Sequence, residues 1–147
     1  MTARRLEKTD LTALAALYAQ FWDEAMDEAV MRRQWEILEA GGRHILLAAE
    51  DGGRLVGSVM GVVCEELYGD GRPFLVVENL IVDKGERRKG AGRMLLRELE
   101  KTASARNCAQ MILVTEEERA DARGFYEAYG FDRRHRGYKK TIARGDV

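Results

Sequence analysis

Apolar positions along the chain change period several times, and each change marks a predicted element. Leu11, Leu14, Leu17, Tyr18 and Phe21 recur every three to four residues behind Thr9 and Asp10, which predicts a capped helix after the short candidate strand "RRLEK". "AVMRRQWEILEA" keeps the helical period until Gly41 and Gly42 stop it. The pattern then becomes strand-like: "HILLAAED" and "RLVGSVMGVVCEEL" are joined by Gly52 and Gly53, which predicts a hairpin, and "PFLVVENLIV" is a third strand that begins at Pro73, the only proline. Beyond it, "GRMLLRELEKTASAR" returns to helical spacing through Leu95, Leu96 and Leu99. "QMILVT" reads as a strand, "ADARGFYEAYG" as a helix closed by Gly130, and "YKKTI" as a last strand. Alternation of this kind predicts an α+β sandwich around a mixed sheet.

Composition narrows the class. The 147 residues are expected to form one domain, residues 1–147, and 46% apolar with 33% charged residues is ordinary for a globular protein with its own core. No apolar run approaches the roughly 20 residues that span a bilayer. The start "MTARRLEKTD" lacks the apolar stretch of a signal peptide, so a cytoplasmic protein without membrane association is expected. Cys64 and Cys108 stand alone, as do His44 and His135, so neither a disulfide framework nor a metal site is predicted. Charge changes the picture more. Residues 1–82 carry eight Lys and Arg against fourteen Asp and Glu, a net −6; residues 83–147 carry sixteen against eleven, a net +5. The sign changes just before the least ordinary stretch of the chain.

That stretch is "ERRKGAGRML", Glu86 to Leu95. A helix N-terminus already presents unpaired N–H groups and the positive end of the macrodipole, and acidic or hydroxyl residues are favoured there. Arg87, Arg88, Lys89 and Arg93 oppose that preference, which makes sense if an anion sits at the helix start. Gly85 and Gly90 have the separation of a P-loop, but Ala91 and Gly92 follow instead of Lys and Ser or Thr. A dinucleotide fingerprint would need a glycine where Leu95 stands. What remains is a loop whose N–H groups and cations cradle a pyrophosphate at a helix N-terminus.

Here the chain resembles a known family. "RRKGAG" fits the pattern Arg/Gln-x-x-Gly-x-Gly/Ala of the GNAT acetyltransferase superfamily, and "ENLIVDKGERRKGAGRMLL" looks like that family's fourth strand and following helix. Downstream, "RADARGFYEAYGF" resembles its later motif, with Ala122, Phe125, Tyr126, Gly130 and Phe131 in the expected places. The resemblance implies a single-domain α/β/α sandwich around a mixed, splayed sheet of six to seven strands. It implies acetyl-CoA as cosubstrate, with the pyrophosphate on Arg87, Arg88, Lys89, Gly90, Ala91, Gly92 and Arg93 and the pantetheine arm beside Leu80, Ile81 and Val82.

Acyl transfer to an amine needs a base, because most amines are protonated at neutral pH, and an acid for the departing thiolate. Tyr126 falls on the family position that supplies the acid. Glu78, a carboxylate inside an apolar strand, resembles the position from which some members supply a base, with Glu65 and Glu66 as alternates. One departure is plain: seven residues before the tyrosine the family often has Asn, and here Arg119 stands, available instead to a phosphate. The acceptor is expected to be a small-molecule amine, cationic because Asp23, Glu24, Asp27, Glu28, Glu65, Glu66 and Asp70 crowd the first half. A peptide lysine or N-terminus is the alternative, as is a degenerate member that senses acetyl-CoA without turnover. No nucleic-acid partner is expected, and a homodimer is one option for assembly.

Overall fold

The computed structural model describes residues 1–143. Two compact units divide the chain, Met1–Leu113 and a second that begins at Val114. In the first, β1 (Thr2–Arg5), β2 (His44–Asp51), β3 (Arg54–Cys64), β4 (Phe74–Val82) and β5 (Met111–Ile112) form one sheet in sequence order. The first four strands pair antiparallel, and β5 pairs parallel to β4. Helices α1 (Leu11–Trp22) and α2 (Glu28–Gly41) precede β2, and α3 (Ala91–Ala105) makes the crossover from β4 to β5.

Each turn follows from local chemistry. Gly52 and Gly53 both adopt positive φ (57° and 76°), as a two-residue hairpin requires. Asp27 caps α2 by accepting the N–H groups of Ala29 and Val30 at 2.9 and 3.1 Å, and Gly42 ends the helix in the left-handed region (φ 66°). Asp10 precedes α1 but does not cap it through its side chain. Its carboxylate instead receives Arg4 at 2.7 and 2.9 Å and the Glu7 N–H at 2.8 Å, while Arg4 also reaches Glu50 at 2.8 Å. Those ion pairs tie β1, β2 and the entry to α1 together.

The core has two sides. On one, Leu95, Leu96 and Leu99 of α3 are fully buried against the sheet. Each such burial contributes about 1.5–3 kcal/mol, enough to outweigh the roughly 1 kcal/mol that Gly92 costs the helix. Gly57 and Gly61 of β3 make that approach feasible: a Cβ on Gly61 would lie 2.6 Å from Leu99 Cδ1 and 3.1 Å from Leu75 Cδ1. On the other side, Leu11, Leu14 and Leu17 of α1 close over Leu6, Ala48 and Ile81.

A bulge in β4 decides which residues reach which side. Ser58 opposes Ile81 and Met60 opposes Glu78, so Val59 alone faces the two residues Asn79 and Leu80. Asn79 takes φ 52° to accommodate the extra residue. Leu75 therefore lies on the α3 side beside Gly61, whereas Ile81, at the same parity, belongs to the α1 cluster. Without the bulge Ile81 would share the face of Leu75.

In the second unit, α4 (Ala120–Tyr129) ends at Gly130 (φ 122°), and the N–H groups of Gly130 and Phe131 return to the Tyr126 carbonyl at 3.1 and 3.0 Å. Of the two strands expected near this end of the chain, one is present but short and the other is absent. "QMILVT" contributes only Met111–Ile112, and "YKKTI" forms no strand, with Tyr138 and Ile142 exposed at 87% and 79%. The described sheet thus has five strands rather than six to seven. Aromatic and β-branched residues such as Tyr138, Thr141 and Ile142 supply a strand's propensity, but a ladder needs an edge to pair with, and Tyr138 to Ile142 take part in none.

The Gly61 approach yields a stability test. Gly61→Ala should cost about 1–3 kcal/mol by overpacking and Leu99→Ala about 2–5 kcal/mol by leaving a cavity. The double variant should lose less than the sum in urea unfolding, because the new methyl group enters the space that Leu99 vacates.

Candidate active site

The basic loop is more ordered than its composition suggests. Where β4 ends, Asp83 accepts the Gly85 N–H at 2.8 Å and starts a 3-10 turn over Lys84–Glu86. Gln20, near the end of α1, grips the same corner twice: its Nε2 donates to Asp83 Oδ2 at 3.0 Å and its Oε1 accepts the Lys84 N–H at 3.2 Å. Both contacts hold the Asp83 carboxyl below the ordinary aspartate range, the Gln20 hydrogen bond more than the Gly85 one. Glu86 receives Arg54 from the start of β3 at 2.8 Å and Lys89 at 2.9 Å.

Beyond that anchor the backbone turns outward. Arg88 sits at φ 62° and Gly90 at φ 93°, so two left-handed residues in three lead into α3. For a residue with a Cβ this costs roughly 1–2 kcal/mol, a strain that tends to persist at functional sites. Gly90 holds the cap position of α3 with no side-chain cap, and the first helical bond runs from the Met94 N–H to the Gly90 carbonyl at 2.9 Å. The Ala91 and Gly92 N–H groups precede that bond and have no carbonyl four residues back within the helix. Nothing lies within 4 Å of the place where a Cβ on Gly90 would be. Arg87, Arg88, Lys89 and Arg93 are all exposed around this opening. The fit to a diphosphate is good: open space, helix N–H groups and the helix dipole adjoin exposed cations. Lys89 is engaged by Glu86 and Arg87 Nε by the Val82 carbonyl at 3.4 Å, so each has a bond to exchange.

The strand leading to the loop is equally informative. Ile81 buries its side chain in the α1 cluster, and Leu80 and Val82 are half-buried. β4 and β5 pair only at Leu75 with Met111 and Val76 with Ile112, so the ladder between them stops well before Leu80. Glu78 is exposed at the bulge, on the face of Met60, whereas Asn79 is half-buried. Glu66 turns back onto its own loop, accepting the Leu67 and Tyr68 N–H groups at 2.8 and 3.1 Å. That loop and Glu65 stand at the Phe74 end of β4, about 25 Å from the Val82 end at strand rise.

In the second unit Arg119 occupies the cap position of α4 without a side-chain cap bond, and Tyr126 is half-buried, edge-on to Phe125 at 5.3 Å and to Phe131 at 5.8 Å. Several acidic residues of the first half have local duties. Asp23 ends α1 at φ 53°, Asp27 caps α2, and Glu28 accepts the Thr12 hydroxyl at 2.7 Å and pairs with Arg32 at 3.6 Å. Among the described residues no group of three or more His, Cys, Asp or Glu is placed to hold a metal, and no helix is long and apolar enough to cross a membrane. Cys64 and Cys108 are free thiols, half-buried rather than fully in the core. Sequence reading missed Gln20, Arg54 and Asn79. Only Asn79 carried a local signal, a polar residue after Glu78 in an apolar run.

The sequence model of the Acetyltransferase (GNAT) family matches residues 10–131, and the chain belongs to that family of N-acetyltransferases, which use acetyl-CoA. The aminoglycoside N(6')-acetyltransferase type 1 of Salmonella enteritidis is 24% identical over 137 residues, covering 92% of this chain and 94% of that protein. Among solved structures, glucosamine-6-phosphate N-acetyltransferase from Arabidopsis thaliana superposes with a TM-score of 0.86 at 18% identity, covering 97% of this chain and 98% of that one. Aminoglycoside N-acetyltransferase AAC(6')-Iy, solved with CoA, gives 0.82 at 18% identity, with coverages of 95% and 93%. These structures share the α+β fold.

The Asp83 anchor predicts an acid limb. Its carboxyl titrates below the unfolded value of about 3.9, so its contribution is complete above that value and fades as pH falls through the lowered folded one. Asp83→Asn should flatten the decline of the urea midpoint below about pH 4. An unaltered acid limb would deny the carboxylate this role.

Proposed function

We propose that the protein transfers an acetyl group from acetyl-CoA to the primary amine of a cationic small molecule by direct attack of the amine on the thioester. The observation that carries this reading is the start of α3: an uncapped, open helix N-terminus reached through Arg88 and Gly90 at positive φ and ringed by exposed cations. The Ala91 and Gly92 N–H groups take the diphosphate with Gly90 beneath it, while Arg87, Arg88, Lys89 and Arg93 supply charge-assisted hydrogen bonds. Leu80, Ile81 and Val82 offer backbone groups to the pantetheine amides, in the manner of strand addition. Arg119 is a further cation for a phosphate.

Acetyl-CoA supplies the activated acyl group. In the transfer an N–C bond forms and the C–S bond breaks; counted from its ammonium form the acceptor loses two protons, one to a base before attack and one as the amide forms, while the sulfur gains one. Glu78, exposed in mid-strand, takes the ammonium proton, directly or through water. Tyr126, by its place in the later motif, donates a hydrogen bond to the sulfur as it departs. That hydrogen bond stabilises the developing sulfur charge. The curated relative acts on aminoglycosides by name, which are polyamines, and the acidic first half favours a cation in the same sense.

Thiol release across a panel of amines, with thermal shifts against acetyl-CoA, CoA and ATP, tests the reading. Acetyl-CoA and CoA should raise the melting temperature and ATP should not. Gly90→Asp, which sets a carboxylate where phosphate belongs, should abolish the acetyl-CoA shift in a folded protein. Tyr126→Phe should lower kcat about 10²-fold with acetyl-CoA affinity nearly intact. Glu78→Gln should lose rate most on the acidic side, where the amine most needs a base. Wild-type turnover at pH 7 in either variant would remove that residue from the mechanism.

A further inference from the structure

Loops that bind phosphate through backbone N–H groups work only if the backbone is held still before the ligand arrives, because ordering it on binding subtracts from affinity. Arg88 and Gly90, both at positive φ, give this loop little regular hydrogen bonding of its own. Its fixed point is the corner Asp83–Gly85, and a side chain from a distant element, Gln20 of α1, grips that corner from two sides, 63 residues from Asp83 and 64 from Lys84.

We propose that Gln20 is a positioning residue for the acetyl-CoA site, its amide setting the backbone corner from which the diphosphate loop departs. This rests on the reading that the loop holds the coenzyme diphosphate. The amide is suited to the task by its polarity. One end must donate to the Asp83 carboxylate and the other must accept the Lys84 N–H, a pairing that a carboxylate, an ammonium or a hydrocarbon side chain of the same length cannot make. Gln20 is half-buried at the C-terminal end of a helix whose other side chains, Leu11, Leu14 and Leu17, are locked in the core, so the grip is anchored to a rigid element. Asp83 in turn faces the Gly85 N–H at 2.8 Å, Arg54 of β3 at 4.0 Å and the charge of Arg87. Its carboxylate is the hub through which α1, β3 and the loop meet.

Gln20→Met keeps the length of the side chain and removes both hydrogen bonds. In the full-length chain, isothermal titration with acetyl-CoA at pH 7.5 should show a Kd raised roughly tenfold, with kcat at saturating acetyl-CoA and the amine KM within about twofold of wild type. Gln20→Glu adds a signature that general destabilisation lacks. Ionised, the introduced carboxyl repels Asp83; protonated, it donates to Asp83 as the amide does. The ratio of its Kd to that of wild type should therefore fall as pH drops from 7.5 to 5.5. Wild-type affinity in Gln20→Met, a fall in kcat with unchanged Kd, or a Gln20→Glu ratio flat with pH would each overturn the proposal while acetyl-CoA binding by wild type stood. A wild type that binds no acetyl-CoA would overturn both this inference and the coenzyme reading.

Discussion

Between Met60 and Ser58 one residue of β3 faces two of β4, and that single extra residue sets the geometry of everything that follows in the first unit. A strand alternates its faces with period two, so an inserted residue reverses every later side chain. Leu75 can thus pack beneath α3 while Ile81 packs beneath α1, although both are odd-numbered positions of one strand. Glu78 is left exposed at the turn-over point, and the chain arrives at Asp83 beside the end of α1 within reach of Gln20. The cost is one residue, Asn79, at positive φ. Asparagine is among the few side chains that tolerate this, at roughly 1 kcal/mol or less.

Two opposed demands meet at the start of α3. Its inner face must bury Leu95, Leu96 and Leu99, which fixes the helix against β3 through Gly57 and Gly61. Its first turn is unfilled, with no capping carboxylate and no Cβ at position 90, as the diphosphate site proposed above requires. A capped end would add about 1 kcal/mol of helix stability and occupy the N–H groups. The buried leucines provide several times that, so the open end is affordable. Glu86 and Asp83 sit one turn earlier and hold Arg54, Lys89 and Gln20, which keeps negative charge near the loop without placing it on the helix axis.

Family membership identifies the reaction class, and the acceptor depends on details that family membership leaves open. The acidic first half is partly absorbed in helix caps and local pairs: Asp27 spends its charge on the α2 N-terminus, and Glu28 shares its own with Thr12 and Arg32. Those carboxylates still contribute to the field over that surface, but their geometry answers to the helix first.

Sequence alone was enough to locate α1, α2, α3 and α4, the hairpin of β2 and β3, and the basic glycine loop, because each rests on short-range chemistry: periodicity, capping, and φ that only glycine adopts freely. It also singled out Gly90 and Tyr126 by motif. It overestimated the strands at the C-terminal end, since Tyr138 to Ile142 form no ladder. Which of Glu78 and Asn79 meets water does not follow from the sequence, because parity along a strand fails once a residue is inserted. Gln20 and Arg54 were beyond reach for the same kind of reason. Their roles depend on side chains brought to Asp83 and Glu86 from 63 and 32 residues away, and no local pattern records a contact that only the packing of α1 and β3 against the end of β4 creates.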